Sequence, residues 1–256
     1  MRIRQGTQAF AEGLLNQLPA GILHLSHQVS AIKQGTSGYM HIETSNGTAF
    51  NAKKVISAVP PPVLKKIDFQ PPLPLRKQLL INSYFYGFYQ KVMIVFKTPF
   101  WITKGFCGLT QSFRGPAAVI RDTSSPPDNK HVLTCFMAGQ PGEEWSKKDQ
   151  RERERLLLEQ IAVLFDHPRI SQDVVEFVTH PWSEEEFTGH GCPSPALGPG
   201  VLSSAGASIR DPCGNVHFVG TETAEEWKGY MEGAVRSGER GAKEVIDGLT
   251  KFVAKL

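Results

Sequence analysis

The chain opens with apolar residues spaced four apart, which is the period of a helix with one buried face. Phe10, Leu14 and Leu18 form this stripe. Thr7 stands before it at the N-cap position, and Pro19 follows where a helix would have to end. The pattern therefore predicts a first helix between Thr7 and Pro19.

Two later helices are predicted from capping residues and from spacing. Ser146 with Asp149 resembles a capping box and predicts a helix that runs to Leu164. A longer helix is predicted at about 229–251, and one of its faces carries only small residues. Such a face permits close contact with a sheet or with a flat ring. The small residues are Gly229, Gly233, Ser237 and Gly241.

Strand predictions rest on alternation and on short β-branched or aromatic runs between turn residues. Asn46 and Gly47 separate two such runs and predict a hairpin. The run at 55–59 has almost no polarity, which predicts a strand covered on both faces. Strands that alternate with helices in this way predict a mixed α/β fold. The predicted strands are 29–32, 39–44, 48–52, 55–59, 84–96, 132–138 and 216–219.

Composition indicates a folded chain without a strong charge bias. Of the 256 residues, 40% are hydrophobic and 21% are charged, which supplies one large core or two modest ones. The formal net charge of +3 is spread along the chain and gives no argument for a nucleic-acid partner. No apolar run approaches the roughly 20 residues that span a bilayer. The four cysteines form no CxxC pair and the histidines show no ligand spacing, so no metal site is predicted.

The motifs of several enzyme classes are absent from the sequence. There is no Ser/His/Asp order, no HExxH and no P-loop, which leaves hydrolase and NTPase activities without support. The GxGxxG turn of dinucleotide-binding folds is absent too. A strand at 216–219, a small-residue turn at 220–224 and a helix do follow one another. That order presents backbone N–H groups to phosphate, although many α/β connections share it.

Several segments together resemble the flavin-dependent amine oxidases, and among them the monoamine oxidases. The resemblance runs in order along the whole chain but corresponds only to the C-terminal part of such an enzyme. The Rossmann strand with its GxGxxG turn has no counterpart here, nor has the tail that attaches the mitochondrial members to the outer membrane. The matching segments are VISAVPP (55–61), PFW (99–101), PW (181–182), EEF (185–187), GC (191–192), FVGTETA (218–224) and WKGYMEGA (227–234).

The resemblance implies a partial two-domain fold. Residues 1–75 and 183–256 correspond to parts of the FAD-binding domain, and residues 76–182 correspond to the substrate-binding domain. The implied reaction uses FAD, a small amine and molecular oxygen, and it converts a primary amine to an aldehyde, ammonia and hydrogen peroxide. Two alternatives stay open. One is a non-catalytic fragment that forms a homodimer or joins a partner chain supplying the dinucleotide-binding unit, and the other is an oxidase of polyamines or secondary amines.

The resemblance also assigns roles near the flavin ring. Cys192 matches the cysteine that is joined covalently to the flavin, although an ordinary loop thiol is the plain alternative. Tyr230 matches one wall of an aromatic cage for the amine, whereas Pro193 stands where the second aromatic wall is expected. Lys91 matches a lysine that reaches the flavin through a water, and the alternative is an exposed strand lysine. Lys91 and Tyr230 are thus the catalytic candidates.

Further residues match positions that contact the rest of the cofactor. Gly220, Thr221 and Glu222 match the turn near the FAD ribityl chain and diphosphate, and Met231 begins the helix that faces the flavin. Trp182 matches a tryptophan near the flavin, with a buried anchor at the domain junction as the alternative. Glu222 could equally be a surface acid. Val29 matches a position whose backbone contacts the adenine.

Overall fold

The computed structural model describes residues 3–35, 38–188 and 195–253, with side chains described up to Thr250. The predicted mixed α/β class is confirmed. In these residues no helix combines the length and apolar character needed to cross a bilayer. The helices are α1 (Gln8–Leu15), α2 (Pro61–Leu64), α3 (Leu75–Ser83), α4 (Phe100–Thr103), α5 (Gly139–Ser146), α6 (Gln150–Leu164), α7 (Val201–Ala205) and α8 (Met231–Val253).

Thirteen strands are found in the described part of the chain. They are β1 (Val29–Gln34), β2 (Met40–Thr44), β3 (Ala49–Ala52), β4 (Val55–Ser57), β5 (Asp68–Gln70), β6 (Phe85–Tyr86), β7 (Tyr89–Phe96), β8 (Thr110–Gln111), β9 (Ala117–Asp122), β10 (His131–Ala138), β11 (Val174–Thr179), β12 (Pro195–Ala196) and β13 (Val216–Phe218).

Met1–Lys54 and Ile67–Pro72 form one compact unit. Its four-stranded sheet has the order β3-β2-β1-β5, with β5 parallel to β1 and the other pairs antiparallel. The predicted hairpin joins β2 to β3. The side-chain oxygen Oδ1 of Asn46 accepts hydrogen bonds from the Thr44 hydroxyl at 2.7 Å and from the Thr48 N–H at 3.0 Å. Local turn chemistry therefore sets the register of this hairpin.

Helix α1 begins at the predicted place but ends at Leu15, before the predicted end at Pro19, so Leu18 lies beyond it; the expected buried face is also not found. None of its residues is buried, and Phe10, Leu14 and Leu18 are all exposed. Thr7 occupies the N-cap position without making a side-chain cap bond. The period of a sequence fixes which residues share a helix face, but burial also needs an element to cover that face.

The second compact unit contains Val55–Lys66 and Leu73–Leu256. Its main sheet is antiparallel with the order β11-β7-β10-β9-β8. One face of this sheet packs on α4, α5 and α6 and forms a continuous apolar core. The largest fully buried side chains of that core are Phe96, Trp101, Ile94, Ile120, Leu133, Met137, Leu157, Ile161 and Phe165.

A smaller parallel sheet pairs β13 with β4. All three residues of β13 are buried, but Ile56 in β4 is 42% exposed, so the prediction that this strand is covered on both faces is wrong. Helix α8 lies close to this sheet through its small-residue face. A Cβ added at Gly241 would come within 2.3 Å of Val219, and Ser237 is buried. Close packing is therefore confirmed at Ser237 and Gly241, whereas Gly229 has open space around it and lies before the helix.

Two predicted boundaries differ from the structure for tertiary reasons. The predicted strand 84–96 is divided, because β6 pairs with β12 while β7 pairs with β10 and β11. The predicted helix 146–164 is also divided. Ser146 ends α5, and Asp149 caps α6 by accepting a 2.9 Å hydrogen bond from the N–H of Glu152.

Candidate functional site

A tight turn follows the buried strand β13. Gly220 has a φ of 117°, a backbone conformation that favours glycine. Its N–H donates to the hydroxyl oxygen of Ser237 at 2.9 Å, and its carbonyl accepts from the Thr223 hydroxyl at 2.8 Å. A 3₁₀ turn at Thr221–Thr223 continues the chain. The turn is thus anchored on the small-residue face of α8.

Thr221 ties this turn to the start of α8. Its hydroxyl donates to the carbonyl oxygen of Tyr230 at 2.9 Å and accepts from the N–H of Gly229 at 2.7 Å. Gly229 has a φ of 85° and precedes the helix, which begins at Met231 rather than at the predicted Gly229. The structure therefore brings together four predicted site residues, namely Gly220, Thr221, Tyr230 and Met231.

Large side chains stand exposed at the same place. Trp227 is 57% exposed and Tyr230 is 65% exposed, and their rings meet edge to face with centroids 5.9 Å apart. Met231 beside them is exposed as well. The first N–H groups of a helix lack partners within the helix and carry partial positive charge. This corner therefore combines apolar and aromatic surface with a positive helix end, which suits a flat polar ring.

Glu222, in the middle of the turn, meets strand β6. Its Oε1 accepts a hydrogen bond of 3.1 Å from the Tyr86 hydroxyl. Tyr84 lies on the same segment and is buried. Burial, and then the charge of Glu222, raise the pKa of Tyr84 to about 12. Sequence reasoning missed both tyrosines, because nothing local marks a partner so far along the chain.

Lys91 lies in β7 on the face of the main sheet that is turned away from the core. As the alternation predicts, it shares this face with Tyr89, Met93 and Val95. Its pairing partner in the adjacent strand β10 is Phe136, whose ring centroid is 5.9 Å from that of Tyr89. Lys91 itself is exposed, so its charge is solvated. The sheet thus presents a cation beside an aromatic pair that sequence reasoning did not identify.

Trp182 follows β11, the strand that pairs with β7. Its side chain is 38% exposed, so the alternative of a buried anchor is wrong. The Trp182 ring meets His180 with centroids 4.7 Å apart. The hydroxyl of Thr179, just before, donates to the carbonyl oxygen of Lys91 at 3.1 Å. Trp182 and Lys91 therefore lie on adjacent elements of the second unit.

Lys77 is a buried cation that the sequence analysis did not single out. Its ammonium donates to the carbonyl oxygens of Ser208 and Ile209, at 2.5 and 3.2 Å, and lies 3.9 Å from the ring centroid of Phe218. Burial lowers the pKa of Lys77 from its ordinary value of 10.5. Lys77 and Glu222 both line a small cavity of about 20 Å³ beneath the turn. The lysine thereby joins α3 to the segment that leads into β13.

The remaining candidates lie elsewhere. Val29 begins β1 in the first compact unit and pairs with Thr44. Cys192 and Pro193 fall outside the described residues. Within the described ranges, no three His, Cys, Asp or Glu side chains cluster as a metal site would require.

Comparison with known sequences relates this geometry to a family. Residues 1–246 match the family described as flavin containing amine oxidoreductase. A probable flavin-containing monoamine oxidase A of Dictyostelium discoideum is 33% identical over 248 residues, which is 97% of this chain and 54% of that protein. The flavin-containing amine oxidase B of Cavia porcellus is 34% identical over 249 residues, which is 96% of this chain and 47% of that protein.

Solved structures show the same relationship. A putrescine oxidase bound to putrescine matches with a TM-score of 0.86 and 26% identity, over 95% of this chain and 53% of that one. The cyclohexylamine oxidase of Brevibacterium oxydans matches with a TM-score of 0.80 and 30% identity, over 88% of this chain and 49% of that one. The chain spans about half the length of these relatives. It belongs to the flavin-containing amine oxidoreductase family.

Proposed function

We propose that this chain serves FAD-dependent oxidative deamination of a primary amine to an aldehyde, ammonia and hydrogen peroxide, alone or as the C-terminal part of a longer enzyme. The observation that carries the proposal is the Thr221 linkage. The two hydrogen bonds of the Thr221 hydroxyl hold the Gly220 turn, which follows the buried strand β13, against the residues that lead into α8. Tyr230 and Trp227 are exposed in that leading segment. Family membership supplies the reaction class.

The residues present fit the flavin group. Exposed aromatic and apolar side chains at Trp227, Tyr230 and Met231 suit a flat ring, and the positive end of α8 suits its electron-rich part. Gly220 has no side chain, so a phosphate or ribityl group can approach the backbone of the turn closely. The chemistry that FAD supplies when bound is oxidation of the amine carbon, with the electrons passed on to molecular oxygen.

Each candidate then has a defined task. The face of the Tyr230 ring would bind and orient the amine, since aromatic faces attract such groups. Lys91 would place a positive charge near the reacting atoms and stabilise negative charge that develops there. Cys192 would hold the cofactor through a thioether. The ribityl and diphosphate part of the cofactor would contact Gly220, Thr221 and Glu222. The flavin ring would lie beside Trp182 and Met231. Val29 would contact the adenine through its backbone.

The covalent link gives a direct experiment. The chain is expressed in cells supplied with ample FAD, purified, and precipitated with acid. Flavin absorbance that stays with the pellet supports attachment at Cys192, and the Cys192→Ser variant should release it. Colourless wild-type protein before precipitation would contradict cofactor binding by this chain.

A second candidate function is oxidation of polyamines or secondary amines. Pro193 stands where the family has an aromatic cage wall, and this departure favours a different substrate preference. The match to a putrescine oxidase agrees with this candidate. Hydrogen peroxide release from spermine, with none from phenylethylamine, supports it, and activity on phenylethylamine with none on spermine removes it.

A third candidate is a non-catalytic piece that associates with another chain or a second copy. The parallel sheet of β4 and β13 has only two strands in the described residues, and Ile56 is exposed on it. Parallel sheets are normally larger and covered, so such a sheet favours addition of further strands. Light scattering tests this candidate, because a monodisperse monomer would contradict it.

A further inference from the structure

We propose that Tyr86 is a positioning residue for the proposed cofactor site and that it acts through Glu222. The inference rests on the proposed function. The Tyr86 hydroxyl donates to the Glu222 carboxylate across 3.1 Å, although the two residues lie 136 positions apart in the sequence. A hydrogen bond between such distant segments fixes how two elements approach each other, whereas local bonds shape one element.

The carboxylate of Glu222 lies between Tyr86 and Gly220. Its Oε1 accepts the bond from Tyr86, and its Oε2 lies so close to Gly220 that a Cβ added there would come within 3.1 Å of it. Neither Tyr86 nor Glu222 is fully exposed, so water screens their bond incompletely. A hydrogen bond to an ionised carboxylate is stronger than one between neutral groups. The bond therefore has enough strength to set the position of the turn.

On the turn side, displacement of Glu222 would be passed to the start of α8. Glu222 lies between Thr221, which bonds to Gly229 and Tyr230, and Thr223, which bonds to Gly220. The turn and the residues just before the helix are thus joined by the two bonds of Thr221, and the Thr223 bond closes the turn itself. An interaction that fixes the position of Glu222 therefore also restricts the position of the Tyr230 backbone.

On the strand side, Tyr86 belongs to a segment that leads directly into β7. It pairs with Pro195 in the ladder between β6 and β12. The carbonyl of Phe88, just after it, accepts a hydrogen bond of 3.0 Å from the N–H of Gly139. Lys91 follows in β7. Tyr86 therefore lies in the short strand just before the one that carries Lys91, while Glu222 lies in the turn that Thr221 bonds to Tyr230.

The consequence concerns the separation of Lys91 and Tyr230. Rates fall steeply when reacting groups are displaced, by about 10²-fold for roughly 1 Å. The Tyr86 hydroxyl contacts neither reacting atom in this assignment. Its contribution is to keep the two elements at a fixed separation, and removal of the hydroxyl alone should loosen it.

Hydrogen exchange measures this loosening without any cofactor. In the full 256-residue chain, Tyr86→Phe should raise the exchange rates of the Gly220 and Gly229 amides about five-fold or more, since loss of one hydrogen bond changes a local equilibrium by roughly that factor. Amides of the main sheet should not change. The matched control is Tyr39→Phe, because Tyr39 is exposed in the other compact unit. Unchanged exchange at both glycines in Tyr86→Phe overturns the inference.

Cofactor binding provides the second readout. In the Cys192→Ser background, where binding is reversible, Tyr86→Phe should weaken FAD binding about ten-fold and shift the absorbance spectrum of the bound flavin, while Tyr39→Phe changes neither. The double variant Tyr86→Phe with Glu222→Ala should bind FAD as Glu222→Ala alone does, because Glu222→Ala already removes the acceptor of the Tyr86 hydroxyl. Fully additive losses overturn action through Glu222. If the wild-type chain binds no FAD, the proposed function fails, and the exchange rates still decide whether Tyr86 positions the turn.

Discussion

The hydroxyl of Thr221 donates a 2.9 Å hydrogen bond to the carbonyl oxygen of Tyr230, and this bond closes the corner between β13 and α8. The same hydroxyl accepts from the N–H of Gly229. One side chain therefore satisfies two backbone groups in a segment that has no regular hydrogen-bond ladder. A hydroxyl at position 221 therefore supplies the partners that these two backbone groups need.

Thr221→Val should lower the free energy of unfolding by about 1–2 kcal/mol, because it keeps the shape but removes both hydrogen bonds. Urea denaturation monitored by circular dichroism measures the change. The matched control is Thr250→Val. The Thr250 hydroxyl donates to the carbonyl oxygen of Ile246 on an exposed part of α8, so its loss should stay within about 0.5 kcal/mol. Equal losses in the two variants would contradict the special role of Thr221.

Substitution of alanine for two glycines of α8 should change the free energy of unfolding in opposite directions. A Cβ at Gly241 would lie 2.3 Å from Val219, so Gly241→Ala should destabilise the chain by about 1–3 kcal/mol. Gly238 has open space around it, and Gly238→Ala should stabilise the helix by up to about 1 kcal/mol. Thermal unfolding of both variants is the measurement. Destabilisation by Gly238→Ala as large as that by Gly241→Ala would mean that contact with the sheet is not the cause.

The buried thiol of Cys135 should make the protein less stable in alkali. Burial raises its pKa from the ordinary value of 9.0 to about 12. Above pH 9 the unfolded chain loses this proton while the native chain retains it, so stability falls as pH rises toward 12. Between pH 9 and 10.5 the loss from this group should reach about 2 kcal/mol.

Cys135→Ala isolates that contribution, because Tyr84 and Lys77 remain in both chains. Unfolding free energies measured from pH 8 to 10.5 should converge, with the difference between wild type and variant shrinking as pH rises. Cys107→Ala, at an exposed thiol, should leave the wild-type slope unchanged. Parallel profiles for wild type and Cys135→Ala would contradict a pKa of the Cys135 thiol that burial raises in the native state.

Elements fixed by local signals were predictable from sequence. Asn46 and Gly47 form the expected hairpin, and α8 follows the spacing of its small residues. The failures involve distant partners. The predicted strand 84–96 is divided because its two parts pair with different strands. The apolar stripe of α1 is exposed because no described element covers it. Alternation and period are local properties, and pairing is not.

The candidate site divides in the same way. The turn at 220–222 and Tyr230 were identified through a contiguous motif, and the structure brings them together. The contacts made by Tyr86 and by Lys77 join segments far apart in the chain, and neither residue stands in a recognisable pattern. Only the fold could reveal them.

Lys91→Met separates the proposed chemistry from stability. The side chain is exposed on β7, so its loss should change the free energy of unfolding by no more than about 0.5 kcal/mol. In the FAD-loaded protein the same change should lower the rate of amine oxidation by oxygen about 10²-fold, because a fixed positive charge near the reacting atoms is removed. Lys130→Met is the matched control. Lys130 is exposed on a hairpin of the same sheet, so this variant should keep both activity and stability.

Oxygen consumption and hydrogen peroxide release measure the rate, and urea unfolding measures the stability. Wild-type turnover by Lys91→Met would remove this lysine from the catalytic assignment, and a loss matched by Lys130→Met would attribute the effect to surface charge in general.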